Sequence, residues 1–236
     1  MIAENEIISY DYIVKNCMSD KVIIFDFDGT IADSRMALVK IANELAPQFS
    51  YPTVNEEDIV KYSNMSSREV IENSLIPTYK IPFLLRRVKR ELNKQIATLK
   101  PFIGIKEVLT ELRSYGYSLG IITSNIQENV VNFLRNNYLD SYFDFIYSGT
   151  TLFGKDKIIN KVIKQKKLDP QKMVYVGDET RDIEAAKKSK IKIVAVTWGF
   201  NSPDVLTEYQ PDFLIHTPEE LIAIFQNQLV FVADKN

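Results

Sequence analysis

Two carboxylates stand one residue apart at the end of an apolar run near the start of the chain. The run Val22–Phe25 leads into Asp26 and Asp28, and Gly29 follows directly. Because side chains alternate along a strand, both carboxylates project to the same side if the strand extends that far. Carboxylates this close repel each other, so a divalent cation or a shared proton is expected to hold them. The alternative interpretation is an ordinary Asp-Gly turn with a solvated aspartate.

A second pair of aspartates follows a later apolar run. Met173–Val176 leads into Gly177 and Asp178, and Asp182 comes at an expected helix start, where capping is the alternative interpretation. Magnesium favours carboxylate oxygens together with phosphate oxygens and waters. One cysteine and one histidine do not supply the ligands of a typical zinc site. The sequence therefore predicts a Mg²⁺ site built from Asp26, Asp28, Asp178 and Asp182.

Hydroxyl, amide and ammonium groups stand near other expected strand ends. Thr123, Ser124 and Asn125 close the apolar run Leu119–Thr123 just before a helical pattern, where such residues either cap the helix or bind an anion such as phosphate. Lys155 stands at another expected helix start, after the third strand. An ammonium at that position can offset the negative charge of a carboxylate and a phosphate.

Apolar runs and helical patterns alternate through most of the chain. Such alternation predicts βα units with right-handed crossovers and a mostly parallel sheet, that is, an α/β fold with a Rossmann-like core. In such sheets ligands bind at the carboxyl ends of the strands, where the polar residues above are expected to lie. The expected strands are Val22–Phe25, Leu119–Thr123, Phe143–Tyr147, Met173–Val176, Ile191–Val196 and a short Phe213–Ile215, and the expected helices between them are Ile105–Ser114, Ile126–Asn136, Asp156–Lys167, Asp182–Lys188 and Pro218–Gln226.

One interval breaks this alternation. Residues 34–100 have helical periodicity and no convincing strand, and prolines separate the helical segments. They predict an inserted all-helical subdomain, whereas residues 1–33 and 101–236 form the core, with residues 1–20 as an N-terminal extension of unknown structure. The inserted helices are expected at Arg35–Leu45, Glu56–Tyr62, Ser67–Leu75 and Pro82–Leu99, and the last carries a basic face interpreted as solvated: Arg86, Arg87, Lys89 and Arg90.

Composition and charge argue against several classes of partner. The 236 residues carry a net charge of −2, and 45% are hydrophobic. This charge offers no general attraction to nucleic acid or to anionic membranes, and no apolar stretch nears the roughly 20 residues that span a bilayer. The N-terminal segment lacks the basic start and apolar centre of a signal peptide. The single cysteine, Cys17, suits a reducing compartment, so we expect a cytoplasmic protein of undetermined oligomeric state.

The segment Asp26-Phe-Asp28-Gly-Thr-Ile-Ala-Asp-Ser resembles the first motif of the haloacid dehalogenase (HAD) superfamily. Further motifs follow in the family's order, so the resemblance spans nearly all of residues 21–225. It looks most like the phosphatases of the phosphoglycolate phosphatase-like branch, which carry a helical cap where this chain has residues 34–100. The resemblance implies phosphate binding by Thr123, Ser124, Asn125 and Lys155, and metal binding by Asp26, Asp28, Asp178 and Asp182.

The resemblance also implies a reaction and a cofactor. Asp26 would attack a phosphoryl group to form an aspartyl-phosphate, which water then hydrolyses, and Asp28 would act first as general acid and then as base. Mg²⁺ is the implied cofactor, and a small phosphorylated metabolite is the implied substrate. Asp28 favours a phosphate ester over a halide as substrate, because an alkoxide leaving group needs a proton and a halide does not.

Two other functions stay open on the sequence. One is a sugar phosphomutase with the same core, and the other is a non-catalytic protein that binds a phosphate ligand.

Substrate choice in the phosphatase branch comes largely from the cap. The polar loop with Ser66, Ser67 and Arg68 is the expected site of that choice. A plain helix cap by Ser66 or Ser67, with a solvated Arg68, is the alternative interpretation.

Overall fold

A computed structural model of the protein describes residues 20–149, 154–227 and 231. The N-terminal extension before residue 20, with Cys17, lies outside the described residues. Ten α-helices and one six-stranded sheet make up the described part of the chain. None of its helices combines the length and the apolar character needed to cross a bilayer.

All neighbouring strands of the sheet are parallel, in the spatial order β3-β2-β1-β4-β5-β6. This arrangement confirms the predicted α/β fold class. The strands are β1 (Val22–Phe25), β2 (Ser118–Thr123), β3 (Phe145–Ser148), β4 (Met173–Gly177), β5 (Lys192–Val196) and β6 (Phe213–Ile215). The predicted strands agree to within two residues at each end.

Strand β1 lies at the centre of the sheet, and its burial explains its continuous apolar sequence. All four of its residues are fully buried. Ile23 and Phe25 belong to the apolar core on one face of the sheet, and Val22 and Ile24 to the core on the other face. A strand covered on both faces by helices has no exposed face that would require polar residues.

The register brings the carboxyl ends of three strands to one edge. Phe25, the last residue of β1, pairs with Ile121 on β2 and with Val176 on β4. The polar segments that follow these strands in sequence therefore meet in space. This register is what converts separate sequence motifs into one site.

Six helices follow the core strands or join them. They are α5 (Ile105–Ser114), α6 (Gln127–Asn136), α7 (Lys155–Lys166), α8 (Thr180–Ser189), α9 (Pro203–Glu208) and α10 (Glu220–Gln226). Helix α9 was not among the predicted helices. It is short, and its start is set by Ser202, whose hydroxyl accepts a hydrogen bond from the Val205 N–H at 3.5 Å, with Pro203 in the first turn.

The four remaining helices lie between β1 and α5. They are α1 (Arg35–Phe49), α2 (Glu56–Ser63), α3 (Ser67–Asn73) and α4 (Ile81–Gln95). The described residues of this interval contain no strand, as expected. Two short segments connect it to the core side by side, with hydrogen bonds from Asp33 N to Lys100 O and from Phe102 N to Ile31 O, both 3.0 Å. These paired connections support the proposed boundaries of residues 34–100, which stay a prediction.

Helix α1 is longer than predicted. The expected end at Leu45 relied on Pro47 as a helix breaker, and this was wrong, because α1 continues through Pro47 to Phe49. A proline in the last turn removes only one helical hydrogen bond. The helix ends instead at Ser50, which adopts a left-handed backbone conformation with φ 59°.

Candidate active site

Asp26 lies directly after β1, at the carboxyl edge of the sheet, among the polar side chains described below, and we call this polar region the cleft. Its backbone N–H donates to Val176 O at 2.8 Å, which continues the β1–β4 ladder by one residue. The side chain is 2% exposed. One carboxylate oxygen, Oδ2, lies 2.6 Å from the Lys155 Nζ, whereas Oδ1 is buried and has no hydrogen-bond partner. A buried carboxylate oxygen without a partner is costly, so this atom is suited to a ligand.

Lys155 is the first residue of α7 and is 3% exposed. Its Nζ donates to Asp182 Oδ1 at 2.5 Å as well as contacting Asp26. Burial alone would lower the pKa of Lys155, but Asp182 and Asp26 together raise it above its ordinary value. Lys155 is therefore a cation paired with both Asp26 and Asp182, and its predicted role in offsetting the charge of a carboxylate and a phosphate stays a prediction.

Asp28 lies beside Asp26 and is fixed by two side chains. Ser34 Oγ donates to its Oδ1 and Asn125 Nδ2 to its Oδ2, both at 2.8 Å. Burial raises the pKa of Asp28 to about 6, with a further contribution from the Asp26 charge, while the Ser34 and Asn125 hydrogen bonds oppose the rise. A carboxyl group with a pKa near neutrality can both give and take a proton.

The predicted phosphate-binding triplet reaches the same cleft. Thr123 is 1% exposed, and its Oγ1 accepts a hydrogen bond from the Asn125 N–H at 3.0 Å. Helix α6 has no side-chain N-cap hydrogen bond, so capping does not account for the triplet. Asn125 instead donates to Asp28, and Ser124 contributes its carbonyl to a contact described below.

Asp178 follows β4 and is fully buried. Thr30 Oγ1 donates to its Oδ1 at 2.7 Å, and the Phe200 N–H donates to its Oδ2 at 2.8 Å. Burial, with the nearby charges of Glu179 and Asp26, raises the pKa of Asp178 well above its usual range. Several buried carboxylates that raise one another's pKa form an environment that favours a cation.

Three carboxylates lie close enough together to share one ion. Single oxygens of Asp26, Glu179 and Asp182 all lie within 4.8 Å of one another. Glu179 was missed by the sequence reasoning, although it stands between the two aspartates of the same segment. Asp28 and Asp178, which were also predicted as metal ligands, border the cleft but are not in this cluster. Two of the four predicted metal ligands, Asp26 and Asp182, thus lie in this cluster. The assignment of the metal ligands stays a prediction.

Two further cations border the cleft and were not predicted. Arg181, on α8, pairs with Glu179. Lys89, on α4, is only partly exposed, and its Nζ donates to the Ser124 carbonyl. Burial lowers the pKa of Lys89, Arg181 lowers it further, and Asp28 opposes both effects. The interpretation of Lys89 as part of a solvated face was therefore wrong, because α4 packs against the core at this point.

The residues of the cap loop that was expected to select the substrate make different kinds of contact. Ser66 is the N-cap of α3 and forms a reciprocal capping box with Glu69. Ser67 Oγ lies 3.4 Å from Glu179 Oε1 in the core, and Arg68 is exposed. The capping interpretation thus accounts for Ser66, whereas Ser67 touches the acidic cluster. A role of Ser66, Ser67 and Arg68 in specificity stays a prediction.

Comparison with known proteins agrees with this geometry. Residues 23–196 match the haloacid dehalogenase-like hydrolase family. A phosphoglycolate phosphatase of Synechococcus elongatus is 38% identical over 202 residues, which cover 86% of this chain and 95% of that protein. A haloacid dehalogenase-like hydrolase of Streptococcus pneumoniae superposes with a TM-score of 0.73 at 25% identity, covering 89% of this chain and all of that one.

A mutase is also among the structural relatives. A putative beta-phosphoglucomutase of Thermotoga maritima has a TM-score of 0.63 and 25% identity, over 88% of this chain and 99% of that one. The family match, the relative at 38% identity and the strand-tip motifs all agree. The chain therefore belongs to the haloacid dehalogenase-like hydrolases, in their phosphoglycolate phosphatase-like branch, and is a phosphatase of that family.

Proposed function

We propose that this phosphatase hydrolyses a small phosphate monoester with Mg²⁺, through an aspartyl-phosphate on Asp26. The observation that carries the proposal is the environment of Asp26. One of its oxygens is fixed by Lys155 at 2.6 Å, and the other is buried and lacks a hydrogen-bond partner. A carboxylate held in one orientation, with an oxygen available, is suited to nucleophilic attack.

The first step forms a bond between an Asp26 oxygen and phosphorus and breaks the bond from phosphorus to the alcohol oxygen. Asp28 donates its proton to the departing alkoxide. In the second step, water attacks phosphorus, Asp28 takes the proton of that water, and the bond to Asp26 breaks. The pKa of Asp28, about 6, supports both roles near neutral pH. Lys155 and Thr123 offset and orient the charge of the transferring group.

The residues of the cleft fit a magnesium ion by their donor chemistry. Carboxylate oxygens of Asp26, Glu179 and Asp182 lie within 4.8 Å of one another. Asp178 and Asp28 supply further oxygens at the border of the cleft. When bound, Mg²⁺ would neutralise charge on the phosphoryl oxygens and on the carboxylates. The donor set has only oxygens, which agrees with Mg²⁺ rather than zinc.

The substrate we favour carries a second negative charge, as phosphoglycolate does. Two cations that the phosphoryl chemistry does not require, Lys89 on α4 and Arg181 on α8, lie near the carboxylates. Arg181 pairs with Glu179, and the charge of Asp28 acts on Lys89. The relative from Synechococcus elongatus is named a phosphoglycolate phosphatase, which supports the same substrate. We also propose that the protein works in the cytoplasm.

The phosphomutase alternative is favoured by one observation, the structural relative named as a putative beta-phosphoglucomutase. A mutase must retain its phosphoenzyme long enough to return the phosphoryl group to a sugar. Asp28 can deprotonate either a water or a sugar hydroxyl in the second step, so it serves both reactions, and hydrolysis is favoured by the relative named as a phosphoglycolate phosphatase. No specific observation favours the non-catalytic alternative.

A panel of phosphate monoesters tests the proposal. We expect Mg²⁺-dependent release of inorganic phosphate, fastest with phosphoglycolate and slower with neutral-alcohol phosphates such as glycerol phosphate. Asp26→Asn is the control, because the amide keeps the shape and loses the nucleophile. Transfer of phosphate between positions of a sugar without net release would identify a mutase. No turnover of any ester with Mg²⁺ would refute the proposed function.

A further inference from the structure

A chain of side-chain amides connects the helix α4 to the proposed acid, Asp28. Asn129, on α6, is fully buried. Its Oδ1 accepts from Asn93 Nδ2 at 2.6 Å, and its Nδ2 donates to Lys89 O at 3.0 Å; both partners belong to α4. Its Nδ2 also donates to Asn125 Oδ1 at 2.9 Å. One buried amide thus joins the inserted helices to the residue that holds Asp28.

The direction of the donors along this chain is fixed by backbone groups. Asn125 Oδ1 accepts from the Ile126 N–H at 2.7 Å, so its amide nitrogen must face Asp28 Oδ2. Asn129 Nδ2 faces the Lys89 carbonyl, so its oxygen must face Asn93. Because a backbone N–H only donates and a carbonyl only accepts, neither amide can be turned over without losing a hydrogen bond.

The hydrogen bonds satisfy all the side-chain groups of Asn129. Both amide hydrogens of Asn129 have acceptors, and its oxygen has a donor. If α4 moved away from the core, Asn129 would lose its contacts with Asn93 and Lys89 and Asn125 would lose the restraint on its orientation. A buried amide left without partners is costly, so the four groups are expected to move together.

We propose that Asn129 is a positioning residue, which orients Asp28 through Asn125 only when α4 is seated against the core. This role rests on the proposed function, since it gives meaning to the orientation of Asp28. The chemical consequence is that proton transfer to the leaving alcohol depends on contacts made by the inserted helices. Asn129 touches none of the groups that react, and it acts only through Asn125.

The experiment compares two phosphate esters in the first step alone. Single-turnover phosphorylation of the enzyme is measured with an alkyl phosphate and with nitrophenyl phosphate, whose leaving group needs little protonation. We expect Asn129→Leu to slow the alkyl ester roughly 10- to 100-fold more than the nitrophenyl ester, since a positioned acid contributes about 10²- to 10⁴-fold and this variant loses part of it. Asn93→Ala should give a smaller effect of the same kind.

A double-mutant comparison separates positioning from general damage. In an Asp28→Ala background, Asn129→Leu should cause no further loss, because the group it positions is absent. Asn137→Leu is the matched control: this amide, at the end of α6, donates to Leu99 O at 3.2 Å but is not connected to Asp28. It should slow both esters to the same small extent.

Three results would overturn the role. Equal losses for the two esters, or losses that add to those of Asp28→Ala, would show that Asn129 is merely structural. If Asn129→Leu does not fold, Asn93→Ala decides by the same two criteria. If the wild-type enzyme hydrolyses neither ester, the proposed function itself fails and this role fails with it, whereas normal wild-type hydrolysis with equal losses refutes this role alone.

Discussion

Substituting Gly29 by alanine tests whether the first motif requires a residue without a side chain. Gly29 has φ +78°, and a Cβ built on it would lie 2.2 Å from Asp178 Oδ2 and 2.6 Å from the Phe200 ring. Contacts between a Cβ and another heavy atom are essentially never below 3.0 Å, so the Asp178 carboxylate must move by roughly 1 Å. That movement would break the hydrogen bond from the Phe200 N–H.

The chain offers a matched control at Gly116. This glycine has φ +82°, so alanine there meets the same backbone strain, but nothing lies within 4 Å of the added Cβ. The left-handed conformation costs a non-glycine residue about 1–2 kcal/mol. Overpacking at Gly29 adds roughly 1–3 kcal/mol. We therefore expect a loss of about 1–2 kcal/mol in unfolding free energy for Gly116→Ala and about 2–5 kcal/mol for Gly29→Ala.

Activity should separate the two variants more sharply than stability does. A misplacement of about 1 Å in a catalytic site costs roughly 10²-fold in rate. We expect kcat of Gly29→Ala to fall by about that factor at saturating Mg²⁺, while Gly116→Ala keeps wild-type kcat. Urea unfolding and a nitrophenyl phosphate assay measure both quantities. Equal unfolding free energies, or Gly29→Ala activity within threefold of wild type, would refute the packing argument.

The remaining predictions concern the proposed chemistry. Asp26→Asn should abolish turnover while the protein stays folded by circular dichroism and binds Mg²⁺, because the amide is nearly isosteric but a poor nucleophile; near wild-type turnover would end the aspartyl-phosphate mechanism. Chelation by EDTA should abolish activity, Asp178→Ala should resemble metal loss, and full activity after dialysis against EDTA would contradict the metal requirement. Asp28→Ala should slow single-turnover phosphorylation more with alkyl than with nitrophenyl phosphate, and equal losses would remove Asp28 from the acid role. Lys89→Met should raise KM for phosphoglycolate roughly 10- to 100-fold, which corresponds to the loss of a charge-assisted hydrogen bond. The KM for glycerol phosphate should stay nearly unchanged. Lys94→Met, at an exposed lysine of the same helix, is the control.

The sheet could be predicted because burial leaves a strong signal in its strands. The runs of β1, β2 and β4 are buried along their whole length, so their sequences are almost continuously apolar. Polar residues directly after such runs must lie at the edge of the sheet, whatever the detail of the loops. The strand register brings the ends of β1, β2 and β4, which carry Asp26, Thr123 and Asp178, to that edge, and the functional roles of these residues stay predictions.

Residues that join the site from helices were not predictable in this way. Lys89 belongs to a helix with basic residues on several faces, and only the packing of α4 on the core determines which of them is buried. Asn129 lies on α6 among residues with an ordinary amphipathic pattern, and its partners on α4 are distant in sequence. Glu179 was visible beside Asp178, but its contact with Ser67, more than a hundred residues away, depends on the tertiary arrangement.

The charges around the cleft link binding of the metal to binding of the substrate. Five carboxylates (Asp26, Asp28, Asp178, Glu179 and Asp182) face three cations (Lys89, Lys155 and Arg181), which leaves two negative charges when all are ionised. A phosphate dianion would be repelled by such a cleft, particularly because burial reduces screening by solvent. One divalent cation removes this excess, and protonation of Asp28 before the first step makes the cleft net positive. Binding of the phosphoryl group and of Mg²⁺ should therefore be strongly coupled, so that each raises the affinity for the other by the same factor.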